Sequence, residues 1–130
     1  MNNVSLAYKI DTHRRLCINK DTIELNQWMD VLEQINVELD FVLQIEKQFF
    51  NSHTLDSNIK GLRRTNTLTM ATLCQYEQQL KKEYEYGTRA YDTVRAKEHE
   101  KIREVYQQSL RDFWRLKVFL YQHLSNLQVV

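Results

Sequence analysis

Four side chains carry nitrogen or oxygen donors that a bundle of long helices would bring to one end: Glu46, His53, Asp56 and His123. Carboxylates and imidazoles are the ligands that zinc and other divalent metals take from proteins. Helix-borne metal sites commonly use two histidines three or four residues apart, or a glutamate three residues before a histidine, and this chain has neither spacing. We therefore expect these groups to flank a solvated end of the bundle. Metal or small-ligand binding by them is the second hypothesis for this chain.

Glu98, His99 and Glu100 place acidic and basic groups side by side, which is the composition of a general acid–base site. Consecutive residues of a helix point about 100° apart, so the three cannot share a face. We expect Glu98 to be a polar residue of the core and its two neighbours to be solvated. Cys74 has no histidine nearby in sequence, no serine stands in a Gly-x-Ser-x-Gly turn, and the two glycines are too far apart for a phosphate loop. The sequence predicts no enzymatic activity and no cofactor.

Basic side chains cluster at the start of the second and third helices predicted below: Lys60, Arg63 and Arg64, then Arg89, Arg95, Lys97, Lys101 and Arg103. The net charge of the whole chain is only +1, so no overall field attracts nucleic acid. Acidic residues are interleaved with the second cluster, a mixture that is typical of a solvated helix face. Nucleic-acid association is the third hypothesis, and the charge pattern argues against it.

The strongest functional signal is apolar surface that a three-helix bundle does not need. A helix in such a bundle buries one apolar stripe about 100° wide. The first and third helices each carry a second apolar row toward the same end of the bundle: Val37, Phe41 and Ile45, and Trp114, Val118 and Tyr121. A large exposed apolar patch usually marks an interface. The leading hypothesis is therefore a non-enzymatic protein that mediates protein–protein interaction, as a homodimer or with another helical partner.

Composition is that of a folded soluble protein, with 42% hydrophobic and 27% charged residues. No stretch approaches the roughly 20 apolar residues that span a membrane, and the N-terminus lacks the basic start and apolar run of a signal peptide. Cys17 and Cys74 are too few for a disulfide framework and fit a reducing compartment. We expect a cytoplasmic protein with no membrane partner.

Long helices must position these groups, because the chain contains no proline to interrupt them. Apolar residues at steps of three and four predict helices at about 22–52, 56–86 and 88–126. Asp21 and Glu24 have the spacing of a capping box at the start of the first helix. Gly87 favours the end of the second helix, and Thr88 is the expected N-cap of the third. A bent helix that continues through Gly87 is the alternative.

Each predicted helix has a stripe expected to face the core. The stripe of the first comprises Leu25, Trp28, Leu32, Ile35, Leu39, Val42, Glu46 and Phe49. The second has a stripe of Ile59, Leu62, Asn66, Thr69, Leu73, Tyr76 and Leu80, which is weak at its polar members. The stripe of the third comprises Tyr91, Val94, Glu98, Ile102, Val105, Ser109, Phe113, Leu116, Leu120 and Leu124.

Residues 1–20 have a different pattern, because apolar and polar residues alternate at Val4, Leu6, Tyr8 and Ile10. This favours an extended arm packed on the bundle or on a second copy. A short helix with Leu6, Ile10, His13 and Cys17 along one side is the alternative. The predicted fold is all-α: an up-down-up bundle of three long helices at 21–130, with coiled-coil-like packing and an N-terminal arm. It resembles spectrin-like repeats in outline only, a likeness that implies no function.

Overall fold

Proline-free runs of helix-forming residues account for nearly the whole architecture. The computed structural model describes residues 3–127. Helix α1 spans Asn3–Ile45 and continues as a π-helical turn at Glu46–Phe50, α2 spans His53–Tyr86, and α3 spans Thr93–Ser125. The helices pack against one another, and residues 3–127 contain no β-strand. The predicted all-α bundle of three helices is confirmed.

Hydrogen bonds and ion pairs between the helices fix their directions. Helix α2 is antiparallel to both neighbours, because rising residue numbers on α2 meet falling numbers on α1 and α3: Arg63 with Asp40, Glu83 with Arg14, Thr69 with Ser109 and Tyr76 with His99. Helices α1 and α3 are parallel, because Glu24 pairs with Arg103 and Glu38 pairs with Lys117. The order is therefore up-down-up.

Helix α1 begins far earlier than the sequence pattern indicated. The chain is already helical at Asn3, so a separate arm at 1–20 is wrong for the residues that the structure describes, while positions 1 and 2 lie outside them. Asp21 caps no helix; it is buried within α1 and accepts a hydrogen bond from the Tyr91 hydroxyl. Ile18 is buried one turn earlier, so the core extends past the predicted start of the helix. The alternative prediction, a short helix within residues 1–20, had the right conformation for residues 3–20, but these residues are part of α1 and not a separate helix.

A π-helical turn ends α1 and explains one error in its predicted stripe. Phe49 is exposed, whereas the other predicted stripe members of α1 are buried. Hydrogen bonds of the i→i+5 type widen the turn and rotate Phe49 off the core-facing side. The turn closes at Asn51, whose backbone is left-handed (φ 49°) and whose N–H donates to the Glu46 carbonyl over 2.7 Å. Ser52 then caps α2, which starts at residue 53 rather than 56.

The predicted break at Gly87 is confirmed, because α2 ends at Tyr86 and α3 starts only at Thr93. The predicted N-cap, Thr88, is wrong. The carboxylate of Asp92 performs that role, accepting a hydrogen bond from the Arg95 backbone N–H over 3.0 Å.

The predicted stripe of α2 is confirmed in full, since all of its members are buried. The stripe of α3 is correct from Ser109 onward, but its first half is one residue out of register. Val94, Glu98 and Val105 are exposed, and the residues that follow them occupy the core instead: Arg95, His99 and Tyr106. Glu98 is therefore not a core residue, and His99 is not solvated. The polar contacts that hold this register are described below.

Candidate functional site

An ion pair marks the seam where α1 and α3 run side by side. The Lys117 ammonium lies 3.4 Å from the Glu38 carboxylate, and both side chains are partly exposed. Phe41 follows Glu38 by three residues, while Trp114 and Tyr121 stand three before and four after Lys117. Residues three and four apart share a helix face, so these three aromatic side chains flank the same seam.

The six apolar side chains singled out by the sequence pattern form two rows, one on each side of this seam, because each aliphatic member lies three or four residues from an aromatic member of its own row. The two largest are open to solvent, with 58% of Phe41 and 63% of Trp114 exposed. Val37 and Tyr121 are also more than half exposed, whereas Ile45 is half-buried against the core and Val118 is half-buried. The α1 segment before residue 20 cannot cover this face, because it runs toward the other end of the bundle. We define this set as the seam surface: Val37, Phe41, Ile45, Trp114, Val118 and Tyr121.

The four metal-ligand candidates come together only in part. Glu46, His53 and Asp56 line a cleft at the α1–α2 turn. The buried Glu46 carboxylate accepts a hydrogen bond from the Ser52 backbone N–H over 2.5 Å, and Asp56 pairs with Lys60 at 3.0 Å. Both carboxylates therefore have partners already.

His123 lies apart from that cleft. Its ring contacts the rings of Phe119 and Phe50, with centroids 4.0 and 6.0 Å away, and its Nδ1 lies 2.9 Å from the Phe119 carbonyl. Between residues 3 and 127 no group of three or more His, Cys, Asp or Glu side chains is arranged to hold a metal ion. The predicted grouping with His123 is not formed.

Several of the basic side chains are engaged within the chain. Arg63 pairs with Asp40, and Lys60 pairs with Asp56. In the second cluster, the buried Arg95 pairs with Glu83, and Arg103 pairs with Glu24 and Glu100: the N···O distances are 2.7 Å for Arg95–Glu83 and 2.6 Å for Arg103–Glu24. These pairs engage four of the eight basic side chains, and three of the pairs, Arg63–Asp40, Arg95–Glu83 and Arg103–Glu24, join one helix to another.

A buried polar cluster where the three helices meet was missed by sequence reasoning. At its centre is His99, only 3% exposed, which stacks on Trp28 with ring centroids 5.1 Å apart. Its Nε2 lies 2.5 Å from a Glu24 carboxylate oxygen and 3.5 Å from Asp21, and its Nδ1 lies 2.6 Å from the Tyr76 hydroxyl. A carboxylate can only accept, so Nε2 carries the proton. In the neutral ring, Nδ1 then accepts from Tyr76.

Charge and burial shift the pKa values of the groups around His99. Burial raises the pKa of Glu24, but hydrogen bonds from Arg103 and His99 outweigh it and bring the pKa below the usual 4.5. Burial raises the pKa of Tyr76 far above its ordinary value. Burial does the same for Tyr91, and its hydrogen bond to Asp21 adds to the effect. The carboxylate of Glu24 is therefore ionised and both phenols are protonated at neutral pH.

A second set of contacts extends this polar cluster to the end of α2. Glu83 receives the Arg95 guanidinium on its carboxylate and the buried Arg14 guanidinium on its backbone carbonyl. Arg14 also donates to Asp11 over 2.7 Å. The arrangement is that of a hydrogen-bonded junction between helices. The available signal was the i, i+4 pair Arg95 and His99, which the apolar stripe of α3 obscured.

No helix within residues 3–127 combines the length and apolarity needed to cross a membrane. The two cysteines are unpaired: Cys17 is half-buried beside His13, and Cys74 is exposed. Comparison with protein-family models, curated protein sequences and solved structures finds no match to this chain.

Proposed function

We propose that this chain is a non-enzymatic helical protein that associates with a second copy of itself through the seam surface. The observation that carries the proposal is the exposure of two large aromatic side chains, Trp114 and Phe41, on the two sides of the α1–α3 seam. Scattered apolar side chains are normal on a protein surface, but a contiguous aromatic and aliphatic patch is typical of an interface. Aromatic residues are enriched in the cores of such interfaces.

The surroundings of the patch also support an interface. The Glu38–Lys117 pair crosses its middle, so a partner that covers the seam finds charges already partnered rather than isolated. Rows at helical spacing on α1 and α3 can interdigitate with the same rows of a second copy in the coiled-coil manner. In a two-fold symmetric dimer each copy contributes the same patch, so both patches are covered and no third copy can bind there.

Sedimentation equilibrium of the wild-type chain and Trp114→Glu tests the proposal. A glutamate at this position would be buried without a partner in the dimer, so we expect wild type to dimerise at tens of micromolar and the variant to remain monomeric. Leu68→Glu is the matched control, because Leu68 is as exposed as Trp114 (65% against 63%) but lies on α2. Circular dichroism shows whether each variant keeps its helices.

The control should still dimerise. A wild-type chain that stays monomeric at several hundred micromolar would overturn the proposal. Equal weakening of dimerisation by Leu68→Glu and Trp114→Glu would show that association does not use the seam surface.

A further inference from the structure

The charges on the seam distinguish between the two ways in which a second copy could cover it. A two-fold axis that lies in the interface can run along the helices or across them. An axis along the helices places α1 of one copy on α3 of the other, with all four helices parallel. An axis across the helices places α1 on α1 and α3 on α3, with each pair antiparallel. Both arrangements bury the apolar rows, so the polar side chains must decide between them.

Residue levels along the seam follow from two ion pairs. Glu24 with Arg103 and Glu38 with Lys117 are both separated by 79 positions, so the same offset holds along this length of α1 and α3. The offset places Val37 level with Leu116 and Phe41 level with Leu120. The apolar rows of the two helices therefore occupy the same levels, and the Glu38–Lys117 pair lies among them.

We infer that the second copy binds with its two-fold axis along the helices, so that α1 of each protomer lies on α3 of the other. This inference rests on the proposed self-association. In this arrangement Glu38 of one copy meets Lys117 of the other, and four charges of alternating sign surround the axis. With the axis across the helices, Glu38 meets its own counterpart and so does Lys117. Like charges brought together in an interface oppose association, whereas alternating charges favour it.

A second pair of charges supports the same orientation. Asp30 stands seven residues before Val37 on the exposed side of α1, and Arg111 stands three before Trp114 on α3. The common offset puts Asp30 level with Ser109, two residues before Arg111. With the axis along the helices, Asp30 of each copy approaches Arg111 of the other at the rim of the seam surface. With the axis across the helices, Asp30 approaches the end of α1 near Phe49 instead.

A distance between spin labels tests the orientation in the full chain. Asn19 is exposed on α1, and Asn19→Cys in a chain carrying Cys17→Ala and Cys74→Ala provides one label per copy. Asn19 lies about 30 Å along α1 from the level of Leu39. An axis across the helices would therefore separate the two labels by about 60 Å. With the axis along the helices they fall within about 35 Å, because neighbouring helices pack 8–10 Å apart.

Double electron–electron resonance on the labelled dimer should give the short distance between labels, within about 35 Å. The long distance would overturn this orientation while leaving self-association intact. A monomer, shown by sedimentation of the labelled chain, would overturn both.

A charge exchange gives an independent measurement without labels. Asp30→Arg should weaken the dimer about tenfold, since two exposed pairs are replaced by two repulsions. Adding Arg111→Asp to the same chain should restore the dissociation constant to within about threefold of wild type. The orientation would be rejected if Asp30→Arg had no effect on the dissociation constant and the double variant showed no recovery. The interface itself would still stand if Trp114→Glu abolished dimerisation.

Discussion

Nε2 of His99 lies 2.5 Å from a carboxylate oxygen of Glu24, in the part of the core where α1, α2 and α3 meet. The other nitrogen of the same ring is hydrogen-bonded to the Tyr76 hydroxyl on α2, so one side chain of α3 joins both neighbouring helices. Buried polar groups that are fully hydrogen-bonded hold a single packing arrangement, because any shift of register leaves them unpaired. This contact explains why α3 buries His99 rather than Glu98.

His99→Phe should lower the free energy of unfolding by about 2–3 kcal/mol, because the Tyr76 hydroxyl loses a buried partner while the stack on Trp28 is kept. Tyr76→Phe alone should lower it by about 1 kcal/mol. The double variant should be more stable than the sum of the two losses implies, since no buried group is left unpaired. Urea unfolding at one fixed protein concentration measures all three. Unchanged stability in His99→Phe would show that the cluster does not hold the helices together.

The same contact shows where sequence reasoning succeeds and where it stops. Helix type, the break at Gly87 and the stripe of α2 follow from periodicity and turn residues, which are local. The register of the first half of α3 does not, because Val94 and Val105 fit a core stripe as well as Arg95 and Tyr106 do. The choice depends on partners on other helices, such as Glu83 for Arg95, and a single helix pattern contains no information about them.

The start of α1 illustrates a second limit. Alternation at residues 4–10 favours a strand, but a strand needs a partner strand. A helix that is already packed can instead be extended at little cost in free energy, because its nucleus has already formed. The seam surface was accessible to sequence reasoning because its residues are spaced at helical intervals on helices whose direction the short connections imply. The two rows flank one seam because α1 and α3 are parallel.

Acid should weaken the bundle through Glu24. The pKa of Glu24 in the folded chain is below the usual 4.5. At pH values between the folded pKa and 4.5, the unfolded chain therefore binds more protons than the folded chain. Stability contributed by Glu24 is therefore present above about pH 4.5 and is lost as pH falls through the folded pKa. Urea unfolding from pH 6 to pH 3 should show this loss in wild type and a shallower one in Glu24→Gln. Arg103→Gln, which removes one of the two hydrogen-bond donors to Glu24, should also flatten the profile.

The two glycines should respond to alanine in opposite ways. Gly61 is inside α2, and a Cβ there would meet no atom within 4 Å, so Gly61→Ala should raise the free energy of unfolding by about 0.5–1 kcal/mol. At Gly87 a Cβ would lie 2.6 Å from the Glu83 carbonyl oxygen, which belongs to the backbone and accepts the Gly87 N–H. Gly87→Ala should therefore destabilise the chain by about 1–3 kcal/mol. Thermal unfolding of the pair measures both, and a stabilised Gly87→Ala would mean that the end of α2 can rearrange.

Asn66 tests whether polarity in the core stabilises this bundle or only restricts its packing. Its side chain is 0% exposed, and neither its amide nitrogen nor its oxygen has a hydrogen-bond partner among the described residues. The amide oxygen of Asn36 is likewise buried and unpaired. The Arg63–Asp40 contact fixes a register in which these two asparagines lie at the same level of α1 and α2.

Asn66→Leu has nearly the same volume and removes two unpaired polar atoms, so the free energy of unfolding should rise by about 1–3 kcal/mol. Thr69→Val is the contrasting change, because the hydroxyl groups of Thr69 and Ser109 share a buried hydrogen bond of 3.0 Å. Removing the Thr69 hydroxyl leaves the Ser109 hydroxyl unpaired. That variant should be destabilised by about 1 kcal/mol. A destabilised Asn66→Leu would instead mean that Asn66 and Asn36 find each other in solution. The core amide would then act as a register-setting contact between α1 and α2, as a buried asparagine does in coiled coils.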